Sequence, residues 1–193
     1  MKKITKALLY ASKKHKKQKR KDIEKTPYIN HLIDVMNILI KHKVKSKKVL
    51  ASAILHDIIE DTDVHYEEIE NKFSKKIANI VLECSDDKNL PKPERKIKQI
   101  ESADKKSKSA KLVKIADKIS NIKRLRDEPP CWSKERMVGY LVWCKKVVEK
   151  LNTKKSLHKT FTKIYKSEIK KYKEYTENKS EDLILEEYLN MLK

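Results

Sequence analysis

A single glycine, Gly139, stands in a chain of 193 residues that contains only five prolines. Sheets need turns at short intervals, and those turns draw on glycine for positive φ and on proline for a preset φ. A chain so short of both is built of helices. Apolar residues recur at three and four positions over most of the length, which agrees. One domain with a sizeable core fits this length, and no internal repeat or Gly/Ser/Pro linker divides it. The fold class expected is therefore all-α, a single helical bundle.

The spacing predicts a first helix over about 4–17, with Ala7, Leu8 and Ala11 inward, followed by a basic loop, Lys19-Arg20-Lys21-Asp22. Thr26-Pro27 reads as N-cap and first-turn proline of a second helix through His31, Val35, Ile38 and Leu39. Ser46 caps a third, whose centre at 49–55 is apolar nearly all round and hence buried. That helix is expected to run straight on through His56-Asp57-Ile58-Ile59-Glu60-Asp61. Short helices at 66–73 and 74–83 precede a loop at 86–93, where two prolines fall. Further helices are expected at 94–103, 109–126, 133–151, 155–175 and 182–192. The last two are lysine-rich outside their apolar stripes and are expected at the periphery.

The formal net charge is +20, and 39% of residues are charged. Such a surface attracts polyanions, whether nucleic acid, anionic lipid or a polyphosphorylated nucleotide. The excess is mostly lysine and is spread over the chain, so charge alone selects no function. No apolar run approaches the roughly 18 residues that span a bilayer. The start, Met1-Lys2-Lys3-Ile4, lacks a long apolar stretch followed by a cleavage site. Cys84, Cys131 and Cys144 are odd in number and form no CxxC pair, which suits a reducing compartment. We expect a cytoplasmic protein without membrane contact.

The most informative segment is His56–Asp61. Four ionisable groups follow a buried apolar run, and charge buried without partners or metal is costly. Imidazole and carboxylate side by side suit a divalent cation, while Glu60 and Asp61 offer carboxylates to handle water. A solvated, frayed helix end would display the same residues. His31 sits on an otherwise apolar helix face, where a hydrogen-bonded core histidine is the ordinary finding. Asp117 is embedded among apolar residues in 112–121, and a buried aspartate needs a partner. Together His31, His56, Asp57 and Asp117 make a two-His, two-Asp set, which fits manganese or iron better than a thiolate-rich zinc site.

These residues, in this order, resemble the HD superfamily of metal-dependent phosphohydrolases. The stretch 15–22 and then Thr26-Pro27-Tyr28-Ile29-Asn30-His31 resembles the opening of the hydrolase domain in SpoT-type alarmone enzymes. Residues 56–63 match that family's HDxxEDT block, and segments 86–92, 111–125 and 132–143 are most similar to the small, single-domain alarmone hydrolases, metazoan SpoT homologues among them. The resemblance spans roughly residues 5–150. It departs at Leu32, where many relatives have proline, and at Ile23-Glu24-Lys25, which replaces a glycine-containing turn. Nothing after about residue 152 resembles the family, and we expect no alarmone synthetase domain.

The resemblance implies an HD-domain helical bundle over 1–152, with helices 153–193 packed on the same domain. It implies one Mn2+ per chain, held by His31, His56, Asp57 and Asp117, with Glu60 and Asp61 orienting and deprotonating water. Arg20, Lys21, Lys92, Asn121, Arg136 and Tyr140 correspond to substrate-contacting positions. The implied reaction releases the 3′-pyrophosphate of guanosine tetraphosphate or pentaphosphate. Two other readings stand beside it. One keeps the metal and hydrolyses NADPH or another nucleotide; the other is a basic nucleic-acid-binding module with a vestigial site. Aromatic content of 6% and the lack of a recognised nucleic-acid motif weigh against the last.

Overall fold

The apolar stripes become the buried faces of a helical bundle in the computed structural model, which describes residues 2–193. In chain order the helices are α1 (Lys2–Lys14), α2 (Ile29–Lys41), α3 (Lys47–Leu55), the single turn α4 (Ile58–Asp61), α5 (Tyr66–Lys72) and α6 (Lys75–Cys84). After them come α7 (Lys92–Glu101), α8 (Lys108–Asp127), α9 (Lys134–Lys150), α10 (Lys155–Ile169), the short α11 (Lys173–Thr176) and α12 (Glu181–Asn190). No strand forms among the described residues, and extended pairing is limited to two isolated antiparallel bridges, Lys19 with Pro27 and Asp22 with Pro130. The fold is all-α, as composition and periodicity require. Among the described residues no helix is long and apolar enough to cross a membrane.

Every residue of the α3 centre from Val49 to Leu55 is buried, as an all-round apolar helix must be. Around it pack α1, α2, α6 and α8. The interior falls into two main apolar clusters. One gathers Ala7, Ala11, Leu32, Ile54, Leu55 and Ile77; the larger gathers Val35, Leu39, Ile115, Ile119, Trp143 and Phe161. Helices α2 and α3 feed both clusters, so His31 and His56 ride on the two elements that join them. Full burial of a Leu or Ile side chain contributes about 1.5–3 kcal/mol, which fixes both helices firmly beneath the site.

Several expected boundaries move, each for a local reason. Helix α2 starts at Ile29, because Thr26 and Pro27 belong to the preceding loop. Thr26 O accepts from Arg20 N at 2.9 Å, and Thr26 Oγ1 donates to Asp22 Oδ2 at 2.7 Å. That loop closes through Lys25, whose φ of 50° lies in the left-handed region without a glycine. Helix α3 does not run through the acidic segment. It stops at Leu55, and Asp57, at φ −100° and ψ 0°, turns the chain into α4. On a continuous helix adjacent residues diverge by about 100°, whereas the break brings His56 Nε2 within 3.1 Å of Asp57 Oδ2. Pro93 falls in the first turn of α7, where its missing N–H costs nothing, so that helix begins at Lys92.

The C-terminal helices also depart from expectation. The helix expected over 155–175 breaks after Ile169 at a 3-10 turn, Lys170–Tyr172. Leu157, Phe161, Tyr165 and Tyr188 enter the larger core cluster instead of lying at the periphery. Helix α12 seats on α9 so closely that a Cβ at Gly139 would overlap Tyr188 Cβ. The one glycine of the chain thus serves helix contact, not a turn.

Candidate metal centre

Three helices and one turn deliver four donors to one point. His31 comes from α2, His56 from the residue after α3, Asp57 from the turn and Asp117 from α8. Both imidazoles are about 1% exposed, so a solvated helix end is ruled out. Ligand atoms of His31, His56 and Asp117 all lie within 4.8 Å of one another. His31 Nε2 is 3.2 Å from Asp117 Oδ1 and 3.6 Å from Asp57 Oδ2; His56 Nε2 is 3.1 Å from Asp57 Oδ2 and 3.7 Å from Asp117 Oδ1.

The surrounding hydrogen bonds orient these donors. His56 Nδ1 meets Ala53 O at 2.8 Å, which requires Nδ1–H and turns the Nε2 lone pair of the neutral ring toward the carboxylates. That Nε2 is buried without a hydrogen-bond partner. His31 Nδ1 lies 3.1 Å from Ser120 Oγ. Tyr28 OH donates to Asp57 Oδ2 at 2.7 Å, Asn121 Nδ2 to Asp117 Oδ1 at 2.6 Å, and Lys118 Nζ to Asp117 Oδ2 at 2.9 Å. Outer contacts of this kind fix ligand orientation at metal sites. A mixed imidazole and carboxylate set with an orphaned, buried ring nitrogen fits a divalent cation.

The electrostatics show what such a cation would relieve. Burial opposes charge on every member of the cluster. The Asp57 and Asp117 carboxylates overcome that for His56, which is pushed up to about 10. Burial, with Arg20 adding to it, holds His31 below the usual histidine range. Asp117 stays well below the usual carboxylate range despite burial, because Lys118 and the histidines face it.

A cavity of about 390 Å³ opens over the centre, within the roughly 300–1,000 Å³ usual for small-ligand sites. Eleven of the twelve residues singled out in the sequence line it, and His56 lies behind the wall. Glu60 Oε2 accepts from Asp86 N at 3.1 Å. Burial, reinforced by Asp86 and Asp57, raises Glu60 to about 7. Asp61 accepts from Lys88 Nζ at 3.2 Å and Gln18 Nε2 at 3.3 Å. Arg20 donates to Asn121 Oδ1 at 2.9 Å, so a guanidinium is tied to the metal ligand Asp117 through one amide. Lys21 and Lys92 stand on the cavity wall, and Arg136 lies over the Trp132 ring at 4.6 Å. Tyr140 is wedged between Trp132 and Trp143, at 5.5 and 5.3 Å between ring centres.

The structure adds residues that the sequence reading did not single out. Lys96, Lys114 and Lys118 line the cavity, as do Gln18, Tyr28 and Tyr188. Lys114 and Lys118 carried a legible signal, since they flank Asp117 on a helix face otherwise apolar. Tyr188 carried none, being 48 positions from Tyr140 and beyond every recognised motif.

A family model for the HD domain matches residues 7–138. The chain is 46% identical over 151 residues to the Drosophila melanogaster guanosine-3′,5′-bis(diphosphate) 3′-pyrophosphohydrolase MESH1, covering 77% of this chain and 84% of that one. It is 43% identical over 160 residues to the Homo sapiens protein of the same name, covering 81% and 89%. A solved structure, described as a metazoan orthologue of SpoT that hydrolyses ppGpp and plays a role in starvation responses, superposes with a TM-score of 0.84. The two are 42% identical, and the superposition covers 87% of this chain and 96% of that one. With a metal-ligand cluster buried beneath a cationic cavity and relatives matched over most of their length, this chain belongs to the HD-domain family of metal-assisted hydrolases, closely related to its metazoan SpoT-type members.

Proposed function

We propose that this protein is a manganese-dependent (p)ppGpp 3′-pyrophosphohydrolase, splitting guanosine tetraphosphate into GDP and pyrophosphate. One observation carries the reading: the donors of His31, His56, Asp57 and Asp117 converge at the floor of a cavity walled by Arg20, Lys21, Lys92 and Arg136. Five metazoan relatives, each 43–47% identical, bear the name of this activity.

His31, His56, Asp57 and Asp117 would hold the cation, with Tyr28, Asn121 and Lys118 fixing the carboxylates. When bound, a divalent ion makes water more acidic and withdraws charge from a phosphoryl oxygen. Glu60 and Asp61 sit one helical turn on and take up the proton of the attacking water. Burial pushes Glu60 up to about 7, which brings its basicity toward neutral pH. Water adds to the phosphorus that carries the 3′-oxygen, the P–O3′ bond breaks, and the proton returns to O3′. Arg20, Lys21, Lys92 and Arg136 offset the phosphate charge, the guanidiniums through paired N–H donors. Tyr140 and Asn121 complete the wall and orient the nucleotide.

Purified protein with Mn2+ and guanosine tetraphosphate should yield GDP and pyrophosphate in equal amounts. Phosphate released from NADPH, with the tetraphosphate left intact, would replace this substrate by another on the same centre.

A further inference from the structure

One cation in the cavity has no task in the reaction as written. Lys96 stands one helical turn beyond Lys92 on α7 and lines the cavity. Its Nζ lies 3.5 Å from the centre of the Trp143 ring and 5.6 Å from that of Tyr140. Among the described residues that Nζ has no hydrogen-bond or ion-pair partner, while the Lys96 carbonyl accepts from Trp143 Nε1 at 3.0 Å. The two neighbouring lysines are engaged: Lys118 Nζ donates to Asp117 Oδ2 at 2.9 Å, and Lys114 Nζ donates to Cys84 O at 2.8 Å.

An ammonium gains something from an indole face but still needs partners for its N–H donors. Lys118 shares the same face, its Nζ 4.4 Å from the Trp143 centre. Two like charges on one ring repel unless an anion enters between them. Burial and the Lys118 charge accordingly hold Lys96 down to about 7. Through Trp143 and Lys118 this vacant donor is connected to Asp117, at the metal centre, and Lys92 lines the same cavity.

Building on the pyrophosphohydrolase reading, we propose that Lys96 seats the outer phosphoryl group of a 3′-diphosphate while the inner group faces the metal centre. The ligand class is a diphosphate monoester or inorganic pyrophosphate. A single phosphate ester at the metal centre has no second group to offer, so Lys96 separates diphosphate from monophosphate substrates.

The test uses the full chain, metal-free, titrated with inorganic pyrophosphate and with orthophosphate, as wild type, Lys96→Met and Lys96→Arg. Lys96→Met should weaken pyrophosphate binding by about tenfold or more, as loss of a charge-assisted contact does, and orthophosphate binding by less than about threefold. Lys96→Arg should restore part of the loss. Equal pyrophosphate affinity in wild type and Lys96→Met overturns the proposal. A second readout leaves Lys96 untouched: in Trp132→Phe, pyrophosphate but not orthophosphate should change the emission of Trp143 as the ammonium leaves its face. Unchanged emission at saturating pyrophosphate also overturns it. Hydrolysis of guanosine tetraphosphate by wild type is scored separately, so a failed substrate reading is not confused with a failed subsite.

Discussion

At the scale of single residues, Glu60 shows how a useful group costs stability. Burial, reinforced by Asp86 and Asp57, pushes its carboxyl up to about 7 from the ordinary glutamate value of 4.5. A raised acid contributes stability that is fully present below pH 4.5 and lost as pH rises through 7, because the folded state holds a proton the unfolded state has released. In metal-free protein Glu60→Gln should therefore stabilise the fold at pH 8, by about 1–3 kcal/mol, and change little at pH 4. Thermal unfolding at the two pH values measures this, and equal shifts at both would contradict the buried carboxylate. The same group carries the proposed chemistry. Glu60→Gln with Asp61→Asn should abolish turnover with the helical spectrum and metal content intact, since acid–base help is typically worth about 10²–10⁴-fold. Undiminished hydrolysis would remove the pair from the mechanism.

At the scale of elements, helix contacts decide what reaches the cavity. The α9–α12 contact rests on Gly139, and Tyr188 on α12 meets Tyr140 at 6.4 Å between ring centres. Gly139→Ala should push α12 outward and cost roughly 1–3 kcal/mol or more, as overpacking does. It should also loosen the aromatic wall, raising KM more than it lowers kcat. Wild-type melting temperature and KM in that variant would show that α12 has slack. Helix α12 was legible as a helix, expected over 182–192 and found at Glu181–Asn190, but its seat on α9 was not. Its packing depends on a single small residue on a distant helix, which no local pattern reports. The break between α3 and α4 was hidden for a related reason. Residues 49–61 keep a helical pattern throughout, and only the convergence of His56 and Asp57 on one centre requires the turn.

At the scale of the whole molecule, a net charge of +20 acts on a polyanionic nucleotide before any contact forms. Raising salt from 0.05 to 0.5 M should increase KM severalfold and leave kcat nearly unchanged, because exposed charges are screened beyond about 4–14 Å over that range while those in the cavity are not. A kcat that fell as steeply as KM rose would place the screened charges in the reaction itself. His31 and Asp117 were legible because each is a polar residue on an apolar helix face, a placement that demands a partner. The meeting of the four ligands was legible only as a set, since residues 31, 56, 57 and 117 converge through packing of α2, α3 and α8. The cation-bearing wall was half legible: Arg20, Lys21, Lys92 and Arg136 stand in recognised segments, while Lys96 acquires significance only against Trp143. The account stands on that convergence. Crystals grown with Mn2+ and examined by anomalous scattering should show one peak per chain, bonded to His31 Nε2, His56 Nε2, Asp57 Oδ2 and Asp117 Oδ1. A peak bonded elsewhere, or no peak in protein that has all four side chains, would contradict it.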